Sequence, residues 1–172
     1  MTVRGTIFAQ ERHFAMTEEI HWVLKPFDRL TPAELYELLR LRSRVFVVEQ
    51  QCAYLDSDGR DPEAFHLLGY RENILAAYAR LFAPGAYYAE SAIGRIVTAP
   101  EARGAGVGRA LVAKSLEIAA RLYGDGPVRI GAQQYLEGFY ASFGFKPSGA
   151  PYLEDGIPHI EMRKEGSSSL DK

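Results

Sequence analysis

Arg103-Gly104-Ala105-Gly106-Val107-Gly108 is the stretch on which the reading of this chain turns. Its closely spaced glycines allow a tight turn in which several backbone N–H groups point into one concavity. The flanks give that turn its meaning. Upstream, Ala92 to Thr98 (AIGRIVT) reads as a strand. Downstream, Val107, Leu111, Ile118 and Leu122 form one apolar stripe, flanked by Val112, Leu116 and Ala119, which predicts an amphipathic helix over 107–122. A glycine turn opening a helix adds unsatisfied N–H donors and roughly half a positive charge, which makes an anion site suited to a phosphate or pyrophosphate. Local charge agrees. Residues 95–129 carry six basic residues against three acidic ones, in a chain whose net charge is −2.

The glycines alone also suit a plain connector, and two familiar phosphate sites do not fit them. A P-loop needs Lys followed by Ser or Thr after the last glycine, where Arg109-Ala110 stands. A dinucleotide fingerprint needs an acidic residue about 20 positions on, at the end of the next strand. Here Asp125 falls in a loop and that strand ends Gly131-Ala132-Gln133.

Further out, a strand is expected at 128–132 and a short helix at 136–143. On the N-terminal side, strands at 65–70 and 74–82 joined by Arg71-Glu72-Asn73 read as a hairpin. Thr31-Pro32-Ala33-Glu34 marks a helix start, with a capping Thr, Pro at the first helical position and Glu three residues after the cap. Leu35, Leu38, Leu39, Arg42, Val45 and Phe46 carry that helix to Val47. His21 to Phe27 reads as a strand and 50–64 as a loop. Two last strands, near 145–152 and 158–163, flank the turn Glu154-Asp155-Gly156. Hairpins mixed with crossover helices predict an α/β fold, a mixed sheet of about six to seven strands with helices on both faces.

Composition bounds the rest. The 172 residues, 47% hydrophobic and 24% charged, describe one ordinary soluble domain. It is expected over 20–164, after a flexible extension at 1–19 in which Met16 reads as the functional start. A flexible polar tail is expected at 165–172. The slightly negative net charge argues against a nucleic-acid partner, and no apolar run is long enough for a membrane span. Cys52 stands alone, which excludes an intramolecular disulfide framework and fits a cytoplasmic location. Asp56 to Asp61 (DSDGRD) hints at calcium, but Asp61 and Leu67 occupy the Gly and Glu positions of an EF-hand loop. It reads as a solvated turn, and no metal is expected.

Two blocks carry a resemblance. Arg-x-x-Gly-x-Gly after a strand, with Leu111 three residues beyond the last glycine, resembles the acetyl-coenzyme A loop of the GNAT acetyltransferases. Phe139-Tyr140-Ala141-Ser142-Phe143-Gly144-Phe145 resembles that superfamily's Phe-Tyr-x-x-Phe-Gly-Phe segment. Residues 42–50 (RSRVFVVEQ), Cys52-Ala53-Tyr54, His66-Leu67-Leu68-Gly69 and residues 154–159 (EDGIPH) are similar to the ElaA-like subfamily. That similarity spans nearly all of 21–163. Thr98 departs from the superfamily pattern, in which an apolar residue commonly precedes the loop.

The resemblance implies the GNAT fold and direct transfer of an acetyl group from acetyl-coenzyme A to a primary amine, in a ternary complex. The acceptor is a small-molecule or peptide amine, and the superfamily's common homodimer is the implied assembly. Cofactor contacts fall on Ile96, Val97 and Thr98 through their backbone, and on Arg103, Gly104, Ala105, Gly106, Val107, Gly108 and Arg109. Tyr140 is placed beside the cofactor sulfur, where its phenol can protonate the leaving thiolate. Glu49 and His66 are candidate bases, with His159 a further one, although ordered water serves many enzymes of this type. Glu154, Asp155 and His159 fall on the acceptor side. Glu49, Asp58, Asp61, Glu154 and Asp155 together suit a cationic amine. Cys52 reads as structural. The competing reading is a module that binds acyl-coenzyme A without turning it over.

Overall fold

Residues 19–166 are described by the computed structural model. The expected N-terminal extension, with Met16, and the expected C-terminal tail lie outside them, apart from residues 19, 165 and 166.

Strand β1 (His21–Pro26) leads to helix α1 (Pro32–Arg42). The capping box forms as the sequence predicts. The Thr31 hydroxyl accepts from the Glu34 amide at 3.2 Å, and the Glu34 carboxylate accepts from the Thr31 amide at 2.8 Å. Lys25 of β1 reaches the same carboxylate at 2.6 Å, which ties strand to helix. The helix does not keep its pitch to Val47. Over Ser43–Glu49 it widens into a π-helix, whose end is closed by Gln50 N–H to Val45 O and Cys52 N–H to Val47 O. Val45, Val47 and Val48 are β-branched and lose rotamer freedom against a preceding α-helical turn, so this segment gives up the regular pitch easily.

Strands β2 (Phe65–Arg71) and β3 (Ile74–Phe82) form the expected hairpin. Its turn is the pair Glu72-Asn73, both at positive φ, which suits the twist of a two-residue loop. Strand β4 (Ser91–Thr98), helix α2 (Val107–Tyr123), strand β5 (Val128–Gln133) and helix α3 (Glu137–Ala141) follow. The single strand expected near 145–152 is instead two fragments, β6 (Lys146–Pro147) and β7 (Tyr152–Glu154). Pro147, Gly149 at φ 124 and Pro151 interrupt it. Both fragments pair with the last strand, β8 (Ile157–Lys164). Asp155-Gly156 make the left-handed turn between β7 and β8.

The described residues thus form an eight-stranded mixed sheet in the order β1-β2-β3-β4-β5-β8-β6, with β7 also on β8. The β4–β5 neighbours are parallel; the others are antiparallel. Residues 75–82 of β3 are all buried, as expected of a strand covered on both faces. Val107, Leu111, Val112 and Ile118 of α2 are buried with them, which is the stripe read from the sequence. No helix among the described residues is long and apolar enough to cross a membrane.

Candidate active site

β4 and β5 run together for two residue pairs, Ser91 with Val128 and Ala92 with Arg129, and then part. A bulge accompanies the separation. On the β3 side Tyr78 pairs with Val97 and Arg80 with Gly94, so Arg95 and Ile96 together stand opposite Ala79. Arg95 sits at φ 51, a conformation uncommon for a residue with a side chain, and such a bulge bends its strand. From Ile93 onward the β4 edge facing β5 has no strand partner among the described residues. Backbone groups on an enclosed edge need partners. A ligand with its own amides can supply them. At the closed end the Glu90 carboxylate binds Arg129 of β5 at 2.9 Å and Arg163 of β8 at 2.9 Å.

The space between the parted strands is a cleft of about 440 Å³. It opens toward the carboxyl ends of two parallel strands, the usual place for a ligand in such sheets. Ile93 to Thr98 line one wall and Gly131 to Gln133 the other, while the π-helix contributes Val45, Phe46 and Glu49. Gln133 of the β5 wall donates to Gln50 at the end of the π-helix through a 3.0 Å hydrogen bond.

The glycine turn lies beyond β4. Gly104 and Gly106 have φ of 83 and 76, and a Cβ on either would meet nothing within 4 Å. Backbone conformation, not crowding, therefore requires glycine there, and the space above the turn is open. Gly106 caps α2. Arg103, Gly108, Ile96, Val97 and Thr98 line the cleft. Gly104, Ala105 and Gly106 are exposed, and Val107 points into the core. Arg109 turns elsewhere: its guanidinium donates to Ser142 Oγ at 3.0 Å and lies 4.7 Å from the centre of the Phe143 ring. An unpaired strand edge leading to an open anion cradle fits what a coenzyme A thioester presents, amides along its arm and a pyrophosphate at its end.

Tyr140 lines the same cleft and is otherwise buried. Its ring meets Phe139 and Phe145 edge-on, and burial pushes the phenol well above its ordinary value, so it holds its proton at neutral pH. Glu49 also lines the cleft, but it is engaged. Arg103 donates to both of its oxygens, at 2.8 and 3.2 Å. The residue expected to take a proton and the residue expected to meet the pyrophosphate are partners. Glu154, Asp155 and His159 come together at one side of the cleft. The Ile157 carbonyl accepts from His159 Nδ1 at 2.8 Å, which leaves Nε2 as the acceptor of a neutral ring. Cys52 also lines the cleft, and it donates its thiol to the Asp155 carbonyl at 3.4 Å.

Two expectations need correction. His66 is not in the cleft. It is fully buried, with Nε2 bonded to the Asp61 carbonyl at 3.0 Å and Nδ1 to the Tyr78 hydroxyl at 2.8 Å. A carbonyl can only accept, so Nε2 carries the proton and Nδ1 accepts from Tyr78. Burial lowers the pKa of the ring and keeps it neutral. The 56–61 segment is not a solvated turn either. Asp56 and Asp61 are buried. Arg42 binds Asp56 and Asp61, both at 2.7 Å, and Arg80 binds Asp58 at 2.7 Å and Asp61 at 2.9 Å. Asp58 and Asp61 are therefore neutralised by the protein's own arginines and do not await a cationic amine. Arg42, Arg80, Arg95, Gln50 and Gln133 were given no role in the site from the sequence. One signal was visible, a charged Arg80 inside the otherwise apolar run ILAAYARLF. A cation there must be paired.

Residues 40–166 match the family described as the acetyltransferase (GNAT) domain. Protein ElaA of Escherichia coli strain K12 is 43% identical over 148 residues, covering 85% of this chain and 97% of that protein. The crystal structure of Escherichia coli ElaA superposes with a TM-score of 0.80 at 42% identity, over 86% of this chain and 100% of that one. The crystal structure of an acyl-CoA N-acyltransferase from Pseudomonas aeruginosa is 43% identical, with a TM-score of 0.79 over 84% of this chain and 99% of that one.

Proposed function

We propose a function from the premise that the chain belongs to the GNAT acetyltransferase family and is an acyltransferase: it moves an acetyl group from acetyl-coenzyme A directly to a primary amine. The observation that carries this reading is the parting of β4 and β5 beside the glycine turn, with Tyr140 inside the opening. The free β4 edge from Ile93 to Thr98 takes the amides of the pantetheine arm. The amides of residues 103–108 and the start of α2 take the pyrophosphate.

As the amine nitrogen bonds to the acyl carbon and the carbon–sulfur bond breaks, the Tyr140 phenol gives its proton to the departing thiolate, and the proton that the nitrogen sheds on becoming an amide restores the phenol. The substrate ammonium must first lose a proton. Glu49 is held by Arg103 and His66 lies outside the cleft, so we assign this step to His159 Nε2, directly or through one water. Glu154 and Asp155 beside it favour an acceptor that carries positive charge. Residues 20–164 constitute the catalytic domain in this reading.

Calorimetric titration with acetyl-coenzyme A, followed by a thiol-release assay over a panel of amines, tests the proposal. Binding with amine-dependent release of coenzyme A is the expected result. Binding without release on any amine favours a non-catalytic acyl-coenzyme A module, and no binding overturns the assignment of the cleft.

A further inference from the structure

Arg95 combines two features that seldom meet. It occupies the bulge of β4 at φ 51, and its side chain hydrogen-bonds away from the strand through Nε and Nη2. Its Nε donates to Asp56 Oδ1 at 2.8 Å, and its Nη2 to the Asp56 carbonyl at 3.2 Å and to Asp58 Oδ2 at 3.3 Å. The Tyr54 hydroxyl joins the same Asp56 oxygen at 3.2 Å, and Arg42 holds the other at 2.7 Å. Asp58 is anchored in turn by two bonds from Arg80 of β3. The bulge is thereby fastened to the loop between α1 and β2 and, through Arg42 and Arg80, to a helix end and a central strand. Arg95 and Tyr54 also line the cleft.

We infer that Arg95 is a positioning residue for acyl transfer: its guanidinium, clamped by Asp56 and Asp58, fixes the β4 bulge so that the free backbone edge of the cleft meets the thioester carbonyl at a set angle. The inference rests on the proposed function of the cleft. Its physical basis is that a left-handed residue inside a strand is costly and persists where surrounding contacts over-determine it. A planar fork reaching two carboxylates and a carbonyl does that, and a lysine ammonium cannot span the same three acceptors. Fixed donors aimed at developing charge require no rearrangement as the reaction proceeds, so a loosened bulge costs polarisation before it costs binding.

The test needs no knowledge of the acceptor. Infrared difference spectra of carbonyl-labelled acetyl-coenzyme A bound to the full chain report how strongly the thioester carbonyl is polarised. The wild-type protein is expected to lower the stretching frequency relative to free acetyl-coenzyme A. Arg95→Met is expected to lose at least half of that downshift while calorimetry shows affinity changed by less than about threefold. Arg95→Gly is the second variant, because glycine adopts the positive φ freely and the backbone need not strain. It is expected to behave like Arg95→Met. A wild-type frequency in either folded variant overturns the inference, since the bulge then holds its geometry without the clamp. A lowered melting temperature with an unchanged frequency has the same meaning, a structural role only. Failure of the wild-type protein to bind acetyl-coenzyme A is a different result, which removes the proposed function itself.

Discussion

Replacing Tyr140 by Phe removes one oxygen and leaves the ring against Phe139 and Phe145. If the phenol protonates the thiolate, Tyr140→Phe lowers turnover by about a hundredfold and leaves acetyl-coenzyme A affinity within about twofold. Thiol release and calorimetry on the same preparation check the two halves. Glu49→Gln moves the other way. The Glu49–Arg103 pair is about half exposed, worth roughly 0–1 kcal/mol, and under the proposed function the carboxylate competes with a pyrophosphate for one guanidinium. Its removal is expected to tighten coenzyme A binding about two- to fivefold; weaker binding would mean that Glu49 orients Arg103 for the ligand. Tyr140 and the loop glycines were legible in the sequence because each sits in a short block of local pattern. Arg95 was not. A positive φ in an arginine leaves no mark in the chain, and its carboxylate partners lie 37 to 39 residues away.

Among the elements, the turn into α2 offers the sharpest experiment. Gly106 caps that helix in a left-handed conformation above open space, so Gly106→Asp adds backbone strain and a negative charge where a pyrophosphate is expected. Coenzyme A affinity should fall about a hundredfold or more, while circular dichroism keeps its helical signal; unchanged affinity would falsify the assignment of the loop. Capping chemistry made α1 and its start readable, and period made α2 readable. The π-helix was not, because Val45 and Phe46 satisfy an α-helical stripe as well as a wider one. Pitch there is set by what the segment meets, the cleft on one side and the buried Arg42 cluster at its start. The last strands were readable in extent but not in continuity. Pro147 and Pro151 stood in plain view as the reason.

At the scale of the whole molecule, buried titratable groups set the response to pH. His66 binds no proton in the fold, because burial lowers its pKa, whereas an unfolded chain binds one below about pH 6.5. Protons then favour the unfolded state, so stability declines as pH drops through that value. Burial alone would raise the Asp58 and Asp61 carboxyls, but hydrogen bonds and charges from Arg80 and Arg42 hold both below the usual range. The stability they contribute is present above about pH 4 and is lost below it. Denaturant unfolding across pH should therefore show two declines, and His66→Gln, which keeps a donor and an acceptor, should erase the upper one. The parted strands have a mechanical consequence as well. β4 and β5 are two arms pinned at one end by Ser91, Ala92 and the Glu90 staple, and each further residue lengthens the arm by about 3.3 Å. Over about six residues, a rotation of about 5° at the pin moves the mouth by about 1.7 Å. A largely buried carboxylate at the vertex, held between two arginines, thus acts on the aperture with the advantage of a lever, and the width of the opening is tuned from the end farthest from the mouth.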